Sequence, residues 1–509
     1  MNFPFQGTIT AERGRITSQI PQSGGITIIT ERDTHHYPNG WLYPGFTDTH
    51  AHIFGLGARL NGIALYHCKS AEECIDILLT ASPTNDSWYV GMGWNQELWN
   101  KPEFPDKKIL DKYFPNNPVY LSRADGHAAW VNSAALAIAN IHSYPTNPHG
   151  GSISIDEDGN PTGILIDNAM DLVKKYIPSF SDAEIQKRIL SATKQCAAWG
   201  LTEVHDMDVH PRYLPFFREM AEAGTLPIRV ISYVSAQNDE WDIENLLPAV
   251  GEFLQVAGIK FYADGALGSR GAALLEQYSD AKTLGLFLID AETLYQKAKS
   301  GLDSGWQIAT HAIGDAANRM VLDVYERLRN EGYKKEEYIL RVEHAQIVHP
   351  SDYARFNSLG VFAAVQPIHC ISDATMAEQR LAERCFYSYP YNSLLKNGTI
   401  IGGGSDFPIE SGNSIAGLDA FIRRIPFNGS NSWQSHEKIS RREALRAYTT
   451  HAHYLSGNEY RRGLLDTKFD ADFTVLDTNI LECAEETIAD AQILATYTAG
   501  VRRFSNQLL

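Results

Sequence analysis

Apolar and polar positions alternate in two ways along this chain. Near both ends the period is two, in short runs bounded by turn residues: Gly25 to Thr30 at the start, Ala471 to Leu476 and Gln492 to Phe504 at the finish. A period of two puts successive side chains on opposite faces of a strand, so these runs are predicted to pair into one small sheet. Between them, apolar β-type runs alternate with amphipathic helical segments, the pattern of βα units around a parallel sheet. The runs are Trp41 to His50, Leu201 to Asp206, Arg229 to Ser235, Gly258 to Asp264, Trp306 to His311, Ile339 to His344, Val361 to Gln366 and Thr399 to Asp406. Eight parallel strands closing on themselves predict an α/β TIM-type (β/α)8 barrel, with its chemistry at the C-terminal strand ends.

The first two runs stand much further apart than the others. An insertion after strand 1, at about residues 65–163, is expected there, with its own aromatic and turn-rich stretches such as Gly91-Met92-Gly93-Trp94-Asn95-Gln96. It is read as a lid over the barrel mouth. The expected division is residues 1–44 with 456–509 as a small β-sandwich built from both chain ends, and residues 45–455 as the barrel.

Composition narrows the class. Apolar residues at 44% and charged residues at 21% are those of a globular protein. A formal charge of −17 has the wrong sign for a phosphate-neutralising surface, which argues against nucleic acid and anionic membrane as partners. No window approaches the roughly 18 apolar residues of a membrane span, and no basic segment followed by an apolar one opens the chain, so a cytoplasmic protein is expected. Six scattered cysteines without a CxxC indicate neither a disulfide framework nor a cysteine zinc site.

Residues with chemistry gather at the strand ends. Gly45-Phe46-Thr47-Asp48-Thr49-His50-Ala51-His52 closes the first run with histidines at i and i+2. On a strand both leave one face with Cα atoms roughly 6.6 Å apart, near enough to share an ion. With 17 histidines in the chain such a pair carries little alone. A second, His451-Ala452-His453, lies in a helix-like stretch where i and i+2 diverge by about 200°, and reads as surface or packing. The first pair gains weight from its companions: Lys260 in the fourth run, His311 ending the fifth, His344 the sixth and Asp406 the eighth. Singly, a strand-end His is a hydrogen-bonded rim residue, an Asp a helix cap and a Lys solvated. Six metal-compatible residues at five of eight strand ends point to a metal site.

These blocks stand with Gly93-Trp94-Asn95-Gln96, Asp125-Gly126-His127, Lys260-Phe261-Tyr262-Ala263-Asp264-Gly265-Ala266, His311-Ala312-Ile313-Gly314-Asp315-Ala316, Arg341-Val342-Glu343-His344-Ala345-Gln346, Gln366-Pro367 and Gly404-Ser405-Asp406-Phe407-Pro408. As a set, in order and over nearly the whole chain, they resemble the metal-dependent amidohydrolase superfamily. More closely they resemble its YtcJ-like branch, which includes N-substituted formamide deformylases. The resemblance implies that His50 and His52 bind the more buried metal with Asp406 beside them, that His311 and His344 bind a second, and that Lys260, as a CO2-derived carbamate, bridges the two. An ammonium has no lone pair for a cation, whereas a carbamate is an anionic oxygen ligand. Imidazole with carboxylate favours zinc, with manganese, nickel or iron as alternatives.

The implied activity is hydrolysis of a non-peptide C–N bond in a small amide, an N-formyl or N-acyl amine, by metal-activated water. Asp406 serves as ligand and proton shuttle, with Lys260 and His311 beside it. Trp94, Asn95, His127, Arg270, Gln366 and His369 are expected to bind substrate. Trp94 reads equally well as core, Arg270 as partner of an internal acid such as Asp264, and Gln366 with His369 as hydrogen-bonding scaffold. Asp206, Asp264 and Asp315 are expected to be caps or loop anchors. A one-metal ring deaminase is the rival enzyme, but the residues after His311 lack the Glu such an enzyme uses. A metal-free scaffold would have lost ligands, and none of the six is missing. A homodimer is the default assembly.

Overall fold

In the computed structural model, which describes residues 3–83, 87–124, 126, 128–148, 150–237 and 246–506, the chain divides into two units: Met1–Ile53 with Ala192–Leu509, and Phe54–Ser191. The first unit holds eight parallel strands in one sheet, ordered as in the sequence: β1 (Phe46–Ala51), β2 (Leu201–Val209), β3 (Arg229–Ser235), β4 (Leu254–Tyr262), β5 (Gln307–Ala312), β6 (Leu340–His344), β7 (Val361–Val365) and β8 (Ile401–Gly403). All seven residues of β3 are buried, as a sheet covered on both faces requires. The sheet is nearly closed as a TIM-type barrel. At the seam the Asp406 amide donates to the His50 carbonyl at 2.7 Å, and the His52 amide to the Phe407 carbonyl at 2.8 Å.

Two strand expectations need correction. Trp41 to His50 is not one strand: Trp41–Pro44 pairs antiparallel with Phe473–Leu476, and only β1 enters the barrel. The break falls at Gly45, where a Cβ would lie 2.1 Å from Thr202 Oγ1, so only glycine lets the two chains approach this closely. Nor do the chain ends share a single sheet. One four-stranded sheet is wholly N-terminal, ordered Arg15–Pro21, Gly7–Glu12, Gly25–Thr30, Thr34–Pro38; the other is ordered Val501–Ser505, Ile493–Thr498, Phe473–Leu476, Trp41–Pro44. The buried hydroxyls of Tyr37 and Tyr497 meet at 2.7 Å between them. A period of two reports which face is covered and is silent on the partner strand.

The second unit is a six-stranded mixed sheet with Tyr89–Trp94, Val119–Arg123 and Ala128–Val131 at its centre. One buried cluster gathers Trp94, Trp99 and Trp130, another Trp88, Tyr120 and Leu165. Among the described residues no helix is long and apolar enough to cross a membrane.

Candidate metal centre

Parallel register sets the depth of each side chain. Tyr262 is level with His311 and Ala312 with His344, so Lys260 lies deeper in the barrel than either histidine. Asp406 sits beyond the short β8 rather than within it. His344 and Asp406 adopt φ of 74° and 60°. This left-handed backbone costs on the order of 1–3 kcal/mol per residue and turns both side chains out of the strand line. His50, His52, Lys260, His311, His344 and Asp406 line one cavity of about 460 Å³, and His369 joins them from the helix after β7.

The histidines are held by one nitrogen and present the other. His50 Nδ1 is 2.6 Å from Glu343 Oε2, His52 Nδ1 is 2.9 Å from the Met207 carbonyl, and His344 Nδ1 is 2.7 Å from Gln366 Oε1. In each the acceptor fixes the proton on Nδ1 and leaves a lone pair on Nε2. His50 Nε2 lies 3.6 Å and His52 Nε2 3.0 Å from Asp406 Oδ1. A lone pair facing a carboxylate at that range needs a proton or a cation between them. Two ligands of one tetrahedral ion, each about 2.0–2.1 Å away, sit roughly 3.3 Å apart. Among the described residues the Nε2 atoms of His50, His311 and His369 are buried without a hydrogen-bond partner; each such orphan costs about 1–3 kcal/mol if nothing binds it. The donor set therefore fits a divalent cation.

Protonation agrees with that fit. Burial, then the Lys260 ammonium, hold His50 well below the ordinary histidine value. Burial and the neighbouring histidines do the same to His344 and, with Lys260, to His311. These rings are neutral and can ligate. Against burial, the hydrogen bond with His52, whose shared proton occupies the place a cation would take, holds Asp406 well below the carboxylate range. The same contact raises His52 despite its burial.

Among the described residues, two groups of three have all their donor atoms within 4.8 Å of one another: His50, His52, Asp406 and His344, His369, Asp406. The first is the set expected of the more buried metal. In the second, His369 stands where the sequence pointed to His311. Its ring stacks on His344 at 6.3 Å, and its Nε2 is 3.9 Å from Asp406 Oδ2. His311 is adjacent, 4.5 Å from His344 between ring centroids, with Nε2 3.5 Å from Asp264 Oδ1. Lys260 is buried; desolvation lowers its pKa, and its Nζ lies 4.7 Å from the Tyr262 ring centre. A lowered pKa supplies the free amine that carbamate formation consumes.

Behind the site a charged network fills the barrel interior. Glu343 accepts from Arg341 Nη2 at 3.0 Å, and Arg341 Nη1 donates to His205 Nδ1 at 2.9 Å. His205 faces Glu203, which meets Arg462 at 2.6 Å and His453 at 3.3 Å. His453 of the second HxH pair is thus a buried packing residue. Sequence reasoning gave Glu343 no role, although charges at 341 and 343 in an apolar strand share one face and signal a polar barrel interior. Burial first, with Arg341 adding to it, pushes His205 from 6.5 down to about 4. Between those values the unfolded chain binds the extra proton, so stability falls as pH falls through that window. Denaturant unfolding from pH 7 to 4.5 is expected to lose up to about 1.4 kcal/mol per pH unit more in wild type than in His205→Gln. Equal slopes would remove the assignment.

Of the residues expected to bind substrate, His369 lines the metal cavity. Gln366 orients His344. Arg270 is forked onto Asp280 at 2.8 Å and 3.1 Å, not onto Asp264. Trp94 is fully buried in the core of the second unit and donates to the Leu121 carbonyl. Asn95 caps the turn Gln96–Leu98 and accepts from Arg123 at 3.2 Å. His127 lies outside the described residues. Asp264 anchors loops by accepting from the amides of Ala273, Ile313 and Gly314; Asp206 accepts from Ile53 and Asp315 from Leu275.

The sequence pattern described as "Amidohydrolase family" matches residues 39–504. A Bacillus subtilis (strain 168) protein named as amidohydrolase YtcJ is 32% identical over 448 residues, 86% of this chain and 83% of its own. N-substituted formamide deformylase of Arthrobacter pascens is 24% identical over 483 residues, 91% of this chain and 88% of its own. An uncharacterized metal-dependent hydrolase from Pyrococcus horikoshii OT3 superposes with a TM-score of 0.77 at 25% identity, covering 95% of this chain and 98% of the other.

Proposed function

The chain belongs to the amidohydrolase family, and from that premise we propose that it hydrolyses a non-peptide C–N bond of a small amide, of the N-formyl or N-acyl amine type. The observation that carries the reading is the set of histidines whose Nδ1 protons are committed and whose Nε2 atoms surround Asp406. His50, His52 and Asp406 would hold one divalent metal, zinc being favoured by these donors. His344 with His311 or His369, and Lys260 as a carbamate, would hold a second. A cation so bound would acidify a water and polarise a carbonyl oxygen.

Asp406 carries the proton. Its Oδ1 faces His50 and His52, while Oδ2, 3.9 Å from His369 Nε2, would take the proton of the attacking water. From there the proton passes to the leaving nitrogen. Leu267, Ile313 and Met376 line the cavity with apolar surface, suited to an uncharged N-substituent and to excluding water around the scissile bond. The deformylase among the relatives supports a formyl acyl group.

Chelator-treated protein is expected to be inactive, and to regain hydrolysis of members of an N-formyl, N-acetyl and cyclic amide panel on addition of zinc. Metal-replete protein that cleaves no amide but releases ammonia from aminopurines or aminopyrimidines would move the assignment to deamination.

A further inference from the structure

A second cavity, of about 390 Å³, lies away from the metal centre, where the two four-stranded sheets meet the segments that lead into β3 and β4. Three arginines line it: Arg13 from the first hairpin turn, Arg32 from the turn after Gly25–Thr30, and Arg503 from the last strand. Among the described residues none of their guanidinium groups has a hydrogen bond or an ion pair. Arg503 Nε is buried without a partner, and its guanidinium lies 5.5 Å from the centre of the Phe253 ring, whose centre Arg229 approaches at 5.0 Å. Arg229 is satisfied by Asp472, but Arg503 is not. Burial, then Arg32 and Arg229, push the Arg503 pKa down, the mark of like charges crowded together.

The acids at the same cavity do not neutralise these groups. Glu31 accepts from the Arg13 backbone amide, and Glu252 sits 3.9 Å from Arg229 Nη1. In a protein of charge −17, these three guanidiniums line one cavity without an ion pair among the described residues. Partly desolvated like charges are costly until a counter-charge arrives, and the guanidinium fork matches an oxyanion edge. The cavity is larger than a bare orthophosphate needs, leaving room for an organic portion beside Phe253.

We propose that this cavity binds a small molecule carrying a multivalent oxyanion, with Arg503, Arg32 and Arg13 as its partners. Phosphate and carboxylate offer the same chemistry, and titration separates them. Metal-loaded protein is titrated by calorimetry and thermal denaturation with potassium phosphate and with potassium succinate, each against potassium chloride at matched ionic strength. Saturable binding and a rise in Tm are expected with at least one anion. Arg503→Gln is expected to weaken that binding tenfold or more, and Arg32→Gln or Arg13→Gln several-fold, with metal content unchanged. Should Arg503→Gln fail to fold, the two exposed turn variants carry the test. No effect beyond potassium chloride would overturn the proposal. So would undiminished affinity in the variants, which would place the anion at the metal centre.

Discussion

Asp406→Asn is expected to lower amide hydrolysis by roughly a thousandfold or more with the fold intact. Asn is the suitable replacement because Asp406 has a φ of 60°, a conformation Asn tolerates and Ala does not. The substitution keeps the shape of the side chain and removes its charge. An amide cannot accept the water proton at Oδ2. If its N–H group faces the His50 and His52 Nε2 lone pairs, it also blocks the position between them. Activity should therefore fall together with bound metal, whereas Tm should change little in metal-free protein. A variant hydrolysing within tenfold of wild type at full metal content would eliminate Asp406 as proton carrier.

The largest loss of stability is expected from Arg341→Met. Arg341 is fully buried and donates to Glu343, to the Thr49 carbonyl at 2.6 Å, to His205 and to the Tyr233 hydroxyl at 3.3 Å. Truncation leaves the Glu343 carboxylate in the barrel interior with only the neutral His50 ring as its hydrogen-bond partner among the described residues, a cost of about 3–5 kcal/mol. Adding Glu343→Leu should restore part of that stability, since removing both charges is milder than orphaning one. Metal affinity should not recover, because the double variant still lacks the acceptor that fixes the His50 proton on Nδ1. Loss of such an outer partner typically costs about 10–100-fold in affinity. If affinity returns along with stability, Glu343 supports the barrel and does not orient His50.

Much of this site can be read along the chain. His50 and His52 share a face because strand periodicity demands it, and His311 and His344 close short β-type runs between helical segments. Other features escaped for identifiable reasons. His369 lies on a helix of six residues after β7, where no strand period marks its direction. Trp94 beside Asn95 looks like a substrate wall, yet its indole packs with Trp99 and Trp130. Arg270 finds Asp280, ten residues on, through a loop whose course carries no periodic signal.

The sequence by itself determined which residue types end each barrel strand, which face each strand covers and the sign of the surface charge, because these follow from local periodicity and from counting. Only the packed structure shows that Glu343 fixes His50, that Asp406 stands between two groups of histidines, and that three arginines share a cavity without partners among the described residues. The contacts of Glu343 with His50 and of Asp406 with His52 join positions hundreds of residues apart, and a separation of about 3 Å between them depends on barrel closure and strand register, which arise from the packing of the whole sheet rather than from any one segment.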